Sequence, residues 1–409
     1  MRPDHVVVLN DSAHVNGGAA QVGLSSALAL AQDGLQVTVI SAVGPVAPEL
    51  VSHENVRVLC LDQHDILHDP NRMRAIVQGL WNQQAANLLS RELSHLDASK
   101  TIVHVHGWSK ALSASVLRAA VANKFPTVLT LHDYFVACPN GSFFNHKTRR
   151  ICTLRPLSLK CAVSNCDSRS YSQKVWRLGR QALQESAGGI PRSIKHFITI
   201  SELSRDVLRT FLPRQAKLHT VDNPVQVEVT EPVDVTRNNE FVYVGRFSKE
   251  KGPELFARAA AQLDVPATFI GAGDCAEAIR EIYPRAVVTG WLDHSEMLRR
   301  LRKARVLVVP SLWYETYALV VAEAAALGVP AIVPDTSAAR ERIIEGVTGL
   351  TFRGGSLEDL VAKMQAFRDP LLAAALGRAA RQRFWQRPAG MAEHVRQLHA
   401  VYEEVLRSA

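Results

Sequence analysis

Two glutamates eight residues apart, Glu315 and Glu323, stand in the segment ETYALVVAEAAALGVP (315–330). From Ala318 to Leu327 the segment reads as a helix with apolar residues on every face, the pattern of a buried helix. A lone carboxylate in its middle is costly to bury unless something binds it. Glu323 therefore reads as a group that hydrogen-bonds a diol such as that of a ribose, and Glu315, ahead of the helix, as one that reaches a sugar. Burial against Arg246 or another cation is the purely structural alternative for Glu323. The first-turn N–H groups near Ala318, Leu319 and Val320 lack intrahelical partners and form a cradle for a diphosphate. Upstream, VGRFSKEKGPELF (244–256) places Arg246 and Lys251 between a strand end and a new helix. Two cations so spaced suit a diphosphate and would neutralise charge building on a phosphate leaving group.

Further candidates lie at other strand ends. FIGAGDC (269–275) carries Gly271 and Gly273, where a base or ribose can lie against backbone, although a helix-capping turn explains them equally. NDSAHVNGGAAQVG (10–23) carries Gly17 and Gly18 ahead of a helix, a second place for an anion to approach main-chain N–H groups, although a plain tight turn explains them equally. LHDYF (131–135) adds His132 and Asp133 as acceptor-side contacts or as a structural turn. His104 lies deeper in its strand and reads as a core histidine.

These residues need strands that end together, and the chain supplies two series of them. Strands are expected at 5–10, 36–41, 56–61, 101–107, 126–132 and 196–201, then at 241–245, 267–273, 286–291, 305–311 and 330–335, alternating with helical stretches. Such βαβ alternation predicts an α/β chain with two Rossmann-like, doubly wound parallel sheets facing a cleft, with ligands beyond the carboxyl ends of the strands. The expected domains are 1–221, with a Cys-rich insertion at 138–170, then 222–385 as the nucleotide-binding domain, and 386–409 as a terminal helix packing back toward the first domain.

The segments VGRFSKEKGPELFARAAAQL, FIGAGD and VVPSLWYETYALVVAEAAALGVPAIVPDTSAARERIIEGVTGL, in that order and spacing, resemble the donor domain of family GT4 glycosyltransferases, retaining enzymes of the GT-B fold. The resemblance implies transfer of a sugar from a nucleotide diphosphate-sugar, UDP- or GDP-linked, to a glycan or lipid-linked acceptor. It implies that Glu315 contacts the donor sugar, Glu323 the ribose, Arg246 and Lys251 the diphosphate, and Gly17 and Gly18 the glycine loop. His106, ending VHVHGWS, resembles the family's active-site histidine. No cofactor is implied for the chemistry. Two departures stand out: Tyr317-Ala318 where relatives usually have Phe-Gly, and TSAARE (336–341) where they often have paired glycines.

At 409 residues, 47% hydrophobic and 21% charged, the composition is that of a globular protein, and no apolar run is long enough to span a bilayer. The N-terminal residues enter a strand without a signal-peptide core, so a cytoplasmic location is expected. Cys138, Cys152, Cys161 and Cys166 crowd a loop-rich insertion, where a structural zinc is expected; free thiols, disulfides or an iron–sulfur cluster are the alternatives. Between Lys147 and Arg214 stand 4 Lys and 10 Arg against 2 Asp and 2 Glu. This stretch attracts anions. Lys174, Arg177 and Arg180, beside Trp176, are expected to bind an anionic membrane face, peripheral on the inner side, where a lipid-linked acceptor would be presented. A nucleotide-sugar epimerase and a basic nucleic-acid-binding protein are the rival readings; the second lacks an RNA-binding aromatic signature, so nucleic acid is not expected as a partner.

Overall fold

Strands buried on both faces must pack helices on both sides, and most of this chain's strands are of that kind: His5–Leu9 (β1), Thr101–Val105 (β4) and Thr127–Leu131 (β5) are buried almost throughout. In a computed structural model that describes residues 2–408, they join Gln36–Ser41 (β2), Val56–Cys60 (β3), His196–Thr199 (β8) and Lys217–Thr220 (β9) in one parallel sheet of order β3-β2-β1-β4-β5-β8-β9. A two-stranded hairpin, Phe144–Asn145 (β6) and Arg150–Ile151 (β7), stands apart in the cysteine-rich insertion. The second sheet comprises Glu240–Val244 (β10), Ala267–Ile270 (β11), Val287–Val288 (β12), Ala304–Val308 (β13), Ala331–Pro334 (β14) and Gly349–Phe352 (β15), parallel in the order β12-β11-β10-β13-β14-β15.

Each sheet reverses its order once, between β1 and β4 and between β10 and β13. These switch points open a crevice at the carboxyl ends of the strands, where His106 follows β4 and Gly245 follows β10. Four strands were not anticipated, β9 and β15 at sheet edges and the hairpin pair β6 and β7, and the expected strand at 286–291 shrinks to two residues with an isolated bridge at Gly290.

Two hydrophobic clusters flank the first sheet and one larger cluster fills the second domain. The last helix, Met391–Arg407, contributes Val395, Leu398, Val401, Tyr402 and Val405 to the first sheet's core, beside Val6, Val8 and Ile102. Its Tyr402 hydroxyl bonds His104 Nδ1 at 2.7 Å, and Thr130 takes the other ring nitrogen at 2.7 Å. His104 is thus a fully paired core residue.

Contacts between the sheets come mostly from loops. Glu341, in the TSAARE segment, accepts the first N–H groups of the helix Glu202–Arg209, from Glu202 at 3.0 Å and Leu203 at 2.7 Å. Arg149, between the hairpin strands, forks onto Glu254 at 2.6 and 3.2 Å. Replacing Tyr402 by Phe leaves a buried imidazole nitrogen without its partner, and the expected loss is about 1 to 3 kcal/mol in urea unfolding. An unchanged midpoint would show that His104 does not depend on this bond.

Candidate functional site

The first-domain wall starts from β1. Asp11, directly after it, accepts backbone N–H bonds from Lys110, Ala111 and Leu112 at 2.8 to 2.9 Å and so fixes the loop that follows β4. His106 opens that loop, its ring buried and its Nδ1 3.0 Å from Nε2 of His132 at the end of β5. The rings stack at 5.3 Å, and the buried Nε2 of His106 has no protein partner. Burial pushes the pKa of His106 well down and that of His132 down to about 3, so both rings are neutral, each with one donor and one acceptor nitrogen. Enclosure raises the neighbouring Asp133 carboxyl to about 6, against the opposing pull of the Phe135 N–H it accepts. Gly23, which drew no notice in the sequence, lets the helix Gly18–Gln32 lie on His106: a Cβ there would sit 3.0 Å from the His106 Cβ.

Gly17 is the N-cap of that helix, whose N-terminus carries no side-chain cap. Across the crevice stands the second-domain helix Leu319–Leu327, equally uncapped by any side chain. A Cβ on Gly18 would meet the Leu319 side chain at 3.9 Å. Two helix N-termini with unpaired N–H groups thus face the same space. Ala318, the N-cap of the second, holds the left-handed conformation (φ 61°, ψ 68°) that glycine would adopt freely. The alanine accepts a strain of roughly 1 to 2 kcal/mol to keep that backbone angle.

Lys251 and Glu315 are brought together. The Lys251 ammonium donates to one carboxylate oxygen and Ser311 Oγ to the other. The ammonium also lies 5.5 Å from the Trp313 ring. Trp313 and Tyr314, each half-buried, pack against the first domain's core, and Thr316 Oγ1 donates to the His132 carbonyl at 3.0 Å. Glu315 is therefore tied to the strand end that carries the histidine pair. Arg246 stays exposed, 3.9 Å from Glu250. Glu323 is buried with His294 Nε2 at 2.9 Å rather than with Arg246. Gly271 and Gly273 have a packing reason: a Cβ at either would lie 2.0 or 2.6 Å from the carbonyl of Gly245 or Phe247. The close fit of these two loops gives the crevice its floor.

The cysteine insertion and the basic helix both differ in their surroundings from what was expected. Among the described residues no three of His, Cys, Asp or Glu come together to hold a metal. All four insertion cysteines are free thiols, and the buried Lys174 ammonium points at Cys161 Sγ at 3.4 Å. Nor do Lys174, Arg177 and Arg180 face outward. Lys174 is 1% and Arg180 6% exposed, and Arg177 pairs with the buried Asp167 at 2.9 Å. Arg180 donates to the carbonyls of Ser109 at 2.9 Å and Pro139 at 3.3 Å, with its guanidinium 4.6 Å from the Phe135 ring. The loops that follow β4 and β5 present carbonyls that need donors, and this helix supplies them.

The hydrogen bond that His294 donates to Glu323 raises the His294 pKa, so the pair's contribution is complete below the ordinary histidine value of about 6.5 and fades as pH rises through the raised folded-state value. His294→Ala should lower the melting temperature more at about pH 6 than at about pH 9, by less than about 1 kcal/mol because the ring is half-exposed. Equal losses at both would disprove the linkage.

Residues 16–229 match the model of Glycosyltransferase Family 4, and residues 238–369 match that of Glycosyl transferases group 1. The chain is 27% identical over 304 residues to glycogen synthase of Mycobacterium tuberculosis, covering 68% of this chain and 70% of that one. It is 34% identical over 108 residues, 26% of each chain, to a GDP-mannose-dependent alpha-mannosyltransferase of Corynebacterium glutamicum. In fold it is similar to sucrose-phosphate synthase from Thermosynechococcus elongatus, with TM-score 0.73, 17% identity and 99% and 100% of the two chains covered. Anabaena Alr3699/HepE, solved in complex with UDP-glucose, gives TM-score 0.68 at 16% identity over 99% and 100% of the two chains. With one family model spanning more than half of its residues, the chain belongs to glycosyltransferase family 4 and is a GT-B glycosyltransferase that moves a glycosyl group from a nucleotide-sugar.

Proposed function

We propose that the chain is a retaining glycosyltransferase that moves a hexosyl group from a UDP- or GDP-sugar to a glycan or lipid-linked acceptor, at the cytoplasmic face of a membrane. The observation that carries this reading is the Lys251–Glu315–Ser311 cluster beside the uncapped N-terminus of Leu319–Leu327, tied through Thr316 to the His106–His132 pair. The diphosphate takes the N–H groups of Ala318, Leu319 and Val320 together with Arg246 and Lys251, which stabilise it as it leaves. The ribose diol takes Glu323, and the base lies against Gly271 and Gly273. Gly17 and Gly18 close the crevice over the phosphates.

Both oxygens of Glu315 are engaged, so its part is to hold the sugar rather than to attack it. The neutral His106 offers its free Nε2 to a sugar hydroxyl, and His132 sets the tautomer. With the nucleotide-binding groups behind the anomeric carbon, the acceptor hydroxyl attacks from the leaving-group side while a departing phosphate oxygen takes its proton. Catalysis is then mainly positioning and electrostatics, without the two-carboxylate pair of glycoside hydrolysis. Asp133 lies on the side from which the acceptor enters. The curated mannosyltransferase relatives named for GDP-mannose and the neighbours solved with UDP or UDP-glucose support a nucleotide diphosphate donor and leave the base open between the two.

Thermal shift with UDP and GDP identifies the base, because a ligand bound only by the folded state raises the melting temperature. Glu323→Gln should weaken the preferred nucleotide about tenfold or more, whereas Glu315→Gln should leave nucleotide affinity nearly intact and lower turnover by about tenfold to a hundredfold. Similar losses of nucleotide affinity in both folded variants would refute this division. Retention is read from the anomeric configuration of the product by NMR, and an inverted product would overturn the front-face route.

A further inference from the structure

The helix Tyr171–Ser186 is built inside out. Its buried side carries Lys174, Arg180, Gln181 and Gln184, while Tyr171, Val175, Gly179 and Ala182 face solvent. Two neighbours extend that uncharged face. The helix Arg72–Leu80 approaches closely enough that a Cβ on Gly79 would lie 2.7 Å from Trp176, and Trp176 Nε1 reaches the Ile76 carbonyl at 3.4 Å. On the other side the Tyr171 hydroxyl bonds the Ala162 carbonyl of Leu159–Val163 at 3.0 Å. Each helix puts apolar side chains into water: Met73 is 70% and Val77 59% exposed, Leu159 81% and Val163 66%, Tyr171 44% and Val175 51%. Single exposed apolar residues need no explanation, but six on three contacting helices do.

Basic charge predominates around this face. Arg72, Arg150, Arg155, Lys160 and Arg169 are exposed and, among the described residues, none has an acidic partner, while Asp167, the one acid between 147 and 170, is buried against Arg177. We infer that this three-helix face docks on an anionic lipid surface, with Leu159, Val163, Val175, Met73 and Val77 entering the headgroup boundary and the cations meeting lipid phosphates. A second copy of the chain fits poorly, since it would bring a second basic rim against the first. The same helix holds the acceptor-side loops from beneath through Arg180, so docking here sets the acceptor side of the crevice at the membrane. The inference deepens the reading of a lipid-linked acceptor, yet it concerns binding that needs neither donor nor acceptor, so either can fail alone.

The test is co-sedimentation of the full chain with phosphatidylcholine vesicles, with and without phosphatidylglycerol. Binding should need phosphatidylglycerol, weaken with salt, and fall by about tenfold or more in Leu159→Glu/Val163→Glu and in Arg155→Glu/Lys160→Glu. Val287→Glu, on the exposed edge of the second sheet, should bind as wild type. The melting shift given by the preferred nucleotide should be unchanged in all variants, showing that folding and the donor site are intact. Wild type ignoring phosphatidylglycerol vesicles at low salt would overturn the inference, as would undiminished binding by both double variants. A dimer seen by sedimentation velocity and abolished by Leu159→Glu/Val163→Glu would overturn it too, assigning the face to a second copy.

Discussion

A carboxylate that is 7% exposed cannot stay charged inside a protein without counter-charge and donors, and the way Glu315 meets that demand organises the crevice. Lys251 comes from the turn after β10 and Ser311 from the turn after β13, so satisfying one carboxylate draws together the two loops on either side of the second switch point. The segment following Ser311 is then committed. Trp313 and Tyr314 are packed against the first domain's core, Thr316 reaches the end of β5, and Ala318 is left to begin the helix at a left-handed angle. One buried charge thus helps to set the register between the two sheets, beside the Glu341 and Arg149 contacts.

Much of this was legible because buried parallel strands and a helix apolar on all sides leave strong marks in composition. The central strands of both sheets, the Glu315 and Glu323 positions, the two helix N-termini and the burial of His104 follow from patterning and burial cost. Edge strands were harder. Lys217–Thr220 is half-exposed, and Gly349–Phe352 is only partly buried, so neither has a continuous apolar run to announce it. The partner of Glu323 stayed unidentified because His294 lies 29 residues upstream, on the helix before β13, a separation that no local pattern encodes.

The basic stretch misled for a different reason. Charged side chains at helical spacing normally mark the wet face, yet the loops after β4 and β5 present carbonyls at Ser109, Phe135, Val136 and Pro139 with no strand to pair them. Arginine and glutamine on Tyr171–Ser186 supply the donors, and the polar side of the helix becomes its inner side. The same logic placed Lys174 among the cysteines. Which side of a helix is buried depends here on unpaired backbone elsewhere, information that hydropathy along the helix does not contain.

The position of Met391–Arg407 in the first sheet's core has a consequence for how the protein is made. On a ribosome the chain emerges from its N-terminus, and the first sheet is complete once Thr220 has left the tunnel. Its outer layer on one face is not, because Val395, Leu398, Val401, Tyr402 and Val405 are still to be synthesised. At roughly 5 to 20 residues per second, Val6, Val8 and Ile102 wait on the order of 10 to 30 s for their last neighbours while the whole second sheet is translated and can fold. The domain that begins first is finished last, and during that interval its uncovered face is a natural client surface for chaperones.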